Sequence, residues 1–330
     1  IKERNRKQFG SHPFKYFEGT DTVNTTARSF SNQSNVVLII LESFGKEFTR
    51  LNETGGPSYT PFLDSIMDVS INCVNAYANG QKSKDAIPAM FTGMPALIDN
   101  GFILSKYSKN KLPSLPNLLK EQGYSSYFFH GANNGSMGFR NYLLSHGLDG
   151  YFGIDEYPDR ETHFDGHWGI FDEPYLEHFG SYLAGAAEPF FASVFTLSSH
   201  DPYAIPDEYQ HVLPEEKVKL HRSVRYTDLA LKKFFQSIEG QEWVENTIFI
   251  ITADHSSLNS EYRYQVGTGK YEVPLLIGKQ APQMLSVLTM RKYAMFDITQ
   301  KPEAFIIAVL YTALVLVLLV LAFRRGRAGA

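Results

Sequence analysis

Apolar runs alternate with amphipathic segments along most of the chain, and this pattern predicts a sheet covered by helices. The run Asn35–Leu41 reads NVVLIIL, which is typical of a strand buried on both faces of a parallel sheet. Similar apolar runs are found at 126–129, 190–197, 247–252 and 273–277. Amphipathic helices are expected between them, at 60–67, 114–122 and 215–239. The sequence therefore predicts an α/β fold with a mostly parallel sheet and helices on both faces.

An uncharged stretch near the C-terminal end predicts a membrane span. Residues 305–323 read FIIAVLYTALVLVLLVLAF, and roughly 20 apolar residues are needed for a helix to cross ~30 Å of hydrocarbon. A buried core helix is the alternative, although such helices usually keep one polar face. Arg324, Arg325 and Arg327 follow directly, and the positive-inside rule places such a cluster in the cytoplasm.

These signals predict five regions along the chain. They are a polar arm at 1–34, a folded domain at 35–282, a juxtamembrane segment at 283–303, a transmembrane helix at 304–323 and a basic cytoplasmic tail at 324–330. The expected location is the cell membrane, with a single C-terminal span and the folded domain on the extracytoplasmic side.

Composition and charge exclude several classes of protein. Of the 330 residues, 43% are hydrophobic, which is enough for a sizeable core and excludes a disordered or fibrous chain. The 31 Lys and Arg residues are outnumbered by 35 Asp and Glu residues, so no nucleic-acid partner is expected. The single cysteine, Cys73, allows neither an internal disulfide nor a cysteine-based zinc ribbon. Any bound metal must therefore have ligands other than cysteine.

Acids and histidines directly follow the predicted strands. Glu42 follows the first strand, His130 the second, His200 comes shortly after the third, and Asp254 and His255 follow the fourth. In open α/β sheets the active site lies beyond the carboxyl ends of the strands. Each of these residues alone could be an ordinary loop residue or a core histidine. Together, carboxylates and an imidazole would suit one divalent cation, Mn²⁺, Zn²⁺ or Mg²⁺, with a coordination position left open for an activated oxygen.

Ser83 is the candidate nucleophile. It follows a glycine-containing turn and precedes the helix-compatible segment 87–92, which places it near a helix N-terminus. Backbone N–H groups at such a terminus favour an anion such as phosphate, and Lys82 adds a positive charge beside it. On this segment alone, an ordinary serine N-cap is the preferred interpretation.

Seven motifs occur together, in the order NVVLIILESFGKEF, TPFLD, NAYANGQKS, FFHGANNGSMGF, DGHWGIFDE, SSHDPY and TADHSS. Over about residues 35–280 the chain resembles the extracytoplasmic catalytic domain of the lipoteichoic acid synthase-like group. These are membrane phosphoglycerol and phosphoethanolamine transferases of the sulfatase branch of the alkaline phosphatase superfamily. The resemblance implies the fold of that superfamily, a mixed but mostly parallel sheet with helices on both faces.

The resemblance also implies roles for individual residues. A metal, most often Mn²⁺, is expected among four ligands, which are Glu42, Ser83, Asp254 and His255. The substrate pocket is expected to be lined by His130 and His200, with Asn133 and Arg140 beside them and Lys82 near the nucleophile. The chain departs from the synthases in having Ser83 where they have threonine, and in the position of Arg140. The resemblance also predicts an N-terminal bundle of spans, whereas the one span predicted from this sequence is C-terminal.

Three functions follow from these expectations. In the first, Ser83 attacks the phosphorus of a phospholipid head group, and an acceptor hydroxyl then removes that group from the phosphoseryl enzyme while His200 moves the proton. The acceptor is a glycerol phosphate polymer, a glycolipid or a glycan. In the second, water is the acceptor and the protein is a hydrolase. A sulfatase is disfavoured because Ser83 lacks the x-Pro-x-Arg sequence needed to form formylglycine. In the third, the chain is an inactive membrane-tethered binding domain.

Overall fold

Seven strands form one sheet in the computed structural model, which describes residues 34–257 and 261–279. Across the sheet they are ordered β2-β7-β6-β1-β5-β3-β4. Their bounds are β1 Asn35–Leu41, β2 Ile71–Asn72, β3 Ser125–His130, β4 Gly150–Phe152, β5 Phe190–Phe195, β6 Thr247–Ala253 and β7 Leu275–Lys279. Strand β1 therefore lies at the centre of the sheet, between β5 and β6.

The sheet is mixed but mostly parallel, as the sequence predicted. Strands β1, β3, β4, β5 and β6 pair in parallel, whereas β7 is antiparallel to both β6 and β2. In the register, Leu41 lies beside Ala253 and Ile40 beside Phe195. The carboxyl ends of β1, β5 and β6 therefore meet at the same edge of the sheet.

The apolar run predicted at 273–277 corresponds to strand β7. This strand begins two residues later than predicted and runs antiparallel to β6. The strand begins at Leu275, because Val273 instead donates its N–H to the carbonyl of Ala76 at 3.1 Å. The preceding segment crosses the carboxyl edge of the sheet, where the carbonyl of Glu272 accepts the N–H of Lys46 at 3.0 Å. The chain thus re-enters the sheet from the edge at which β6 ended, and it runs antiparallel to β6.

Helices cover both faces of the sheet. Their bounds are α1 Pro61–Met67, α2 Ser83–Thr92, α3 Leu115–Lys120, α4 Phe139–Ser145, α5 Arg160–His163, α6 Asp172–Leu183, α7 Lys219–Ser237, α8 Glu242–Glu245 and α9 Tyr262–Gln265. The three helices predicted from periodicity correspond to α1, α3 and α7. Helix α3 has the expected cap, since the Ser114 hydroxyl accepts the N–H of Asn117 at 3.3 Å.

The alternation of side chains along β1 accounts for two cores. Val37 and Ile39 pack on one face with residues of α1, α6 and α7, whereas Leu38 and Ile40 pack on the other with residues of α2 and α4. Both sets are buried, which explains why the strand reads as a continuous apolar run. Strand β1 is therefore fixed from both sides, and so is the loop that follows it.

No helix within residues 34–257 and 261–279 is both long enough and apolar enough to cross a membrane. The predicted transmembrane helix at 304–323 lies outside the described residues. The predicted polar arm, apart from Ser34, the juxtamembrane segment and the basic tail lie outside them as well.

Candidate active site

Four of the predicted site residues meet at the carboxyl edge of the sheet. The Ser83 hydroxyl lies 3.3 Å from Oε2 of Glu42 and 3.4 Å from Nε2 of His255. The same imidazole nitrogen lies 3.1 Å from Oδ2 of Asp254 and 3.8 Å from Oε1 of Glu42. One ligand atom each from Glu42, Asp254 and His255 fits within 4.8 Å of the others. These four residues are called the acid–serine cluster below.

The backbone explains why these residues meet. Glu42 and Asp254 each follow a strand, and the pairing of Leu41 with Ala253 brings the two acids side by side. Ser83 is the first residue of α2, with Lys82 in the extended cap position before it. Further back, the Ala78 N–H donates to the carbonyl of Tyr271 at 2.7 Å, which ties the serine-bearing loop to the segment before β7.

The hydrogen bonds around Asp254 leave one of its oxygen atoms free for a ligand. Its Oδ1 accepts the N–H of Ser43 at 2.9 Å and that of His255 at 2.8 Å. Its Oδ2 is buried, has no hydrogen-bond partner within the described part of the chain, and faces His255. A buried carboxylate oxygen without a partner is costly unless a cation compensates it. The free oxygen thus fits a metal site.

The tautomer of His255 fits the same conclusion. Its Nδ1 lies 2.7 Å from the carbonyl oxygen of Ser256, and because a carbonyl can only accept, Nδ1 carries the proton. In the neutral ring, the lone pair of Nε2 then points into the acid–serine cluster. An imidazole nitrogen and two carboxylates form a donor set suited to Mn²⁺, Zn²⁺ or Mg²⁺. The residues present therefore fit one divalent cation.

The electrostatics of the site also fit a cation. Burial raises the pKa of the Glu42 carboxyl above its ordinary value. Burial, together with the nearby Glu42, raises the pKa of Asp254 to about 7. Burial alone would lower the pKa of His255, but Asp254 and Glu42 raise it above its ordinary value. Two carboxylates this close compete for a proton, and a divalent cation would relieve the repulsion between them.

His130 lies at the end of β3, fully buried. Its Nδ1 donates to the carbonyl of Phe195 at 3.3 Å, while its Nε2 has no hydrogen-bond partner among the described residues. Burial lowers the pKa of this histidine to about 4, so the ring is neutral at neutral pH. Its free Nε2 can therefore accept a hydrogen bond.

His200 lies in the turn after β5, and its ring is held by two contacts. Its Nδ1 donates to the carbonyl of Asp201 at 2.8 Å, and its ring centroid lies 4.6 Å from that of Trp168 in an edge-on arrangement. The Trp168 indole N–H donates to the same Asp201 carbonyl at 2.7 Å. The remaining nitrogen, Nε2, is the atom that can exchange a proton with a substrate.

The other three predicted substrate-binding residues are exposed, and no described contact joins their side chains to the acid–serine cluster. Lys82 directly precedes Ser83. Asn133 accepts the N–H of Gly135 at 2.9 Å and so closes its own turn. Arg140 is the second residue of α4. The structure gives Asn133 a local role in the loop, whereas any role of the other two depends on a substrate.

Sequence analysis missed the residues that hold Glu42. Ser43 adopts a positive φ of 56°, and its hydroxyl donates to Oε1 of Glu42 at 2.6 Å. In the segment that follows β5, the Thr196 hydroxyl accepts the Glu42 N–H at 2.9 Å, and the Ser199 hydroxyl donates to the Glu42 carbonyl at 2.5 Å. Ser43 and Ser199 adjoin the predicted site residues Glu42 and His200 along the chain, and Thr196 directly follows β5. Small hydroxyl residues at strand ends were the only available signal.

The chain has relatives and structural neighbours among known proteins. It is 26% identical over 241 residues to the lipoteichoic acid synthase-like protein YvgJ of Bacillus subtilis, covering 69% of this chain and 38% of the relative. A crystal structure of an alkaline phosphatase superfamily protein from Vibrio parahaemolyticus is 28% identical, with a TM-score of 0.67 over 77% of this chain and 62% of that one. The lipoteichoic acid synthase LtaP of Listeria monocytogenes shares the fold at 19% identity, with a TM-score of 0.64 over 77% of this chain and 67% of that one.

These matches confirm the resemblance that the seven motifs predicted, although the chain spans little more than a third of the length of YvgJ. The sequence model of the sulfatase family matches residues 34–283, which is most of the chain and includes the whole acid–serine cluster. The chain therefore belongs to the sulfatase family.

Proposed function

We propose that the chain transfers a phosphoglycerol or phosphoethanolamine group from a membrane phospholipid to an acceptor hydroxyl, through a covalent phosphoseryl enzyme and with one divalent metal. The observation that carries the proposal is the position of the Ser83 hydroxyl, 3.3 Å from Glu42 and 3.4 Å from His255 at the start of α2. The similarity to a lipoteichoic acid synthase-like protein supports phosphate-group transfer as the class of reaction.

A serine hydroxyl is a weak nucleophile at its ordinary pKa, so it needs activation. A divalent cation held by Glu42, Asp254 and His255 would act as a Lewis acid, lowering the pKa of the hydroxyl and balancing charge on the phosphoryl oxygens. The resemblance to the lipoteichoic acid synthase-like group favours Mn²⁺. Zn²⁺ and Mg²⁺ are alternatives, because two carboxylates and one imidazole suit all three. The N-terminus of α2 also favours the negative charge of the phosphoryl group.

The reaction then has two displacements at phosphorus. Ser83 enters and leaves the cycle as the alkoxide. In the first displacement, Ser83 Oγ forms a bond to phosphorus, the bond to the lipid oxygen breaks, and diacylglycerol leaves with a proton from Nε2 of His200. In the second, an acceptor hydroxyl gives its proton to the same nitrogen and attacks phosphorus, and the bond to Ser83 breaks, which returns the serine alkoxide. His200 suits both steps because one imidazole nitrogen can give a proton in the first and take one back in the second.

His130 suits recognition of the head group. Its ring is neutral and buried, with the Nε2 lone pair free of other hydrogen bonds in the described chain. Such a nitrogen accepts a hydrogen bond from a hydroxyl, as on a glyceryl group, or from an ammonium. Lys82 and Arg140 would contribute positive charge at the entrance, and Asn133 would form part of the adjacent loop.

The setting of the reaction is the outer face of the cell membrane. If 304–323 spans the bilayer with the arginines in the cytoplasm, the domain faces the head groups of the outer leaflet. The tether would also raise the effective concentration of a lipid substrate without any new contact. The acceptor on that side would be a glycerol phosphate polymer, a glycolipid or a glycan.

The test is turnover of defined phospholipids by the full chain. With Mn²⁺ present, phosphatidylglycerol and phosphatidylethanolamine are supplied in turn, and both released diacylglycerol and the fate of the head group are measured. We expect diacylglycerol from at least one lipid, and a head-group adduct on Ser83 by mass spectrometry of the quenched enzyme. Ser83→Thr, which restores the nucleophile of the synthases, should retain activity, whereas Ser83→Ala should abolish it.

Two results would overturn the proposal. Failure to release diacylglycerol from either lipid, with the cation bound, would exclude this donor class. Release of the free phosphorylated head group only, with a full set of hydroxyl acceptors present, would make the protein a hydrolase.

A further inference from the structure

Asp172 is a buried acid that the reaction above does not use. It is the first residue of α6 and ends the DGHWGIFD stretch of one of the seven motifs, with only 2% of its surface exposed. Its Oδ1 accepts the N–H of Leu197 at 2.6 Å and that of Ser198 at 3.2 Å. Its Oδ2 accepts the hydroxyl of Thr227 at 2.6 Å. Both oxygens are satisfied, so the side chain is tightly held.

The groups that Asp172 holds belong to the turn that carries His200. Asp172 and Ser198 are joined twice, because the Asp172 N–H also donates to the Ser198 hydroxyl at 3.0 Å. Within the turn, the His200 N–H donates to the carbonyl of Leu197 at 2.9 Å. The carboxylate is thus connected through one residue to the backbone of His200.

The same stretch of chain reaches the His200 turn at a second point. Trp168, four residues before Asp172, contacts the His200 ring and donates its indole N–H to Asp201. On the other side, Ser199 is anchored to the Glu42 carbonyl of the acid–serine cluster. The turn therefore contacts the acid–serine cluster on one side and the Trp168–Asp172 stretch on the other. Asp172 binds the first residues of the turn, Leu197 and Ser198.

We propose that Asp172 is a positioning residue, which holds the His200 turn so that the imidazole stays against Trp168 and within reach of a substrate at Ser83. For the role of His200 the inference rests on the proposed function. Without the carboxylate, the Leu197 and Ser198 N–H groups lose their buried acceptor, and the turn must move to pair them with water. Displacement of a catalytic group by about 1 Å costs on the order of 100-fold in rate.

The position of His200 can be measured without any substrate. The chain has two tryptophans, so in a Trp243→Phe background all tryptophan fluorescence comes from Trp168. A protonated imidazole in contact with an indole quenches the indole fluorescence. A titration of Trp168 fluorescence against pH should therefore show a step, and His200→Gln should remove that step. We expect Asp172→Ala to lose most of this step. Asp172→Asn should keep it, because its amide oxygen still accepts the two N–H groups.

Leu183→Ala is the matched control. Leu183 is buried at the other end of α6, so this variant loses stability without touching the turn. It should keep the fluorescence step. If Asp172→Ala does not fold, Thr227→Val takes its place. It removes only the hydrogen bond to Oδ2 of Asp172, so it should weaken the fluorescence step.

Turnover completes the test. We expect kcat to fall on the order of 10- to 100-fold in Asp172→Ala, with KM changed far less, and Asp172→Asn to restore most of it. An unchanged fluorescence step in Asp172→Ala, or in Thr227→Val where that variant replaces it, would overturn the inference. The inference would also be overturned if Leu183→Ala lost the fluorescence step to the same extent. The same holds if Asp172→Ala lost the step but kept the wild-type kcat. If the wild-type chain transfers no head group, the proposed function fails, while the fluorescence result still decides whether Asp172 positions His200.

Discussion

The backbone N–H of Ser43 donates to Oδ1 of Asp254 at 2.9 Å, so the residue after one acid of the acid–serine cluster orients the other. The Ser43 hydroxyl meanwhile bonds Glu42, and the backbone takes a left-handed conformation that disfavours a side chain. Both interactions come from a single residue that is not expected to contact the cation.

Replacing Ser43 should separate backbone strain from the hydroxyl bond. Ser43→Gly relieves the positive φ, worth about 1 kcal/mol, whereas Ser43→Ala keeps the strain. Both lose the hydrogen bond to Glu42, so we expect both to bind Mn²⁺ at least about tenfold more weakly. Ser43→Gly should unfold at a higher temperature than Ser43→Ala in the presence of chelator. Calorimetric titration with Mn²⁺ measures the affinity, and wild-type affinity in both variants would contradict the role of the hydroxyl.

Removing a charged ligand should abolish stabilisation by the cation. For Asp254→Asn, the amide oxygen can still accept from Ser43 and His255, but a negative charge is lost beside Glu42. At a Mn²⁺ concentration of about 100 times Kd, the wild type should gain about 2.7 kcal/mol in free energy of unfolding, and the variant little or none. Thermal melts with Mn²⁺ and with chelator measure this difference. An equal gain in both proteins would remove Asp254 from the set of ligands.

The pH dependence of the metal-free protein should carry the signature of Asp254. Its pKa rises from 3.8 to about 7 on folding, so the folded state holds a proton that the unfolded state releases. This acid therefore lowers the free energy of unfolding as pH rises from about 4 to about 7. Because the cation displaces that proton, stabilisation by Mn²⁺ should grow over the upper part of this range. Urea unfolding at several pH values tests both slopes, and Asp254→Asn should flatten them.

His130 should act in the opposite sense. Its pKa falls from 6.5 to about 4 on folding, so its contribution to stability is complete above pH 6.5 and is lost as pH falls towards 4. The loss amounts to at most about 1.4 kcal/mol per pH unit. His130→Phe, which keeps a ring against Phe195, should reduce the acid sensitivity of unfolding while raising KM for the lipid. Acid sensitivity equal to that of the wild type would mean that His130 is already charged in the folded protein.

The predicted membrane span is tested by deletion. Removing 304–330 should release a soluble domain that acts on detergent-dispersed lipid better than on intact membranes, because the tether no longer concentrates it at the surface. If 305–323 is instead a core helix, the same deletion should give aggregated, inactive protein. Protease added to intact cells reports orientation, and protection of 35–280 until lysis would rule out the extracytoplasmic placement.

Elements buried on both faces could be predicted from sequence, whereas those at the sheet edges could not. Strands β1, β5 and β6 lie inside the sheet, and each falls in a mostly apolar run of the sequence. Strands β2 and β4 have two and three residues, too few for any periodicity, and they are held only by their neighbours. The direction of β7 depends on contacts across the carboxyl edge, which no local pattern encodes.

The same distinction holds at the site. Glu42, Asp254 and His255 were identified because a sheet brings the residues after its strands together. Asp172 was not singled out, because its partners lie 25 and more residues away and its burial results from the packing of α6 beside the turn after β5. Sequence reasoning thus predicted which candidate reactive groups the fold brings together, and it missed the residues that orient them.

The separation along the chain of Glu42 from Asp254 and His255 has a consequence for how the protein matures. Glu42 is synthesised more than two hundred residues before the other two, and the segment at 271–272 pairs with Ala78 and Lys46 only afterwards. A nascent chain that ends before β6 therefore lacks two of the three ligands that would hold the cation. If the proposed cation binds, its loading would mark the completion of the domain, and an interrupted or proteolysed chain would be left without it.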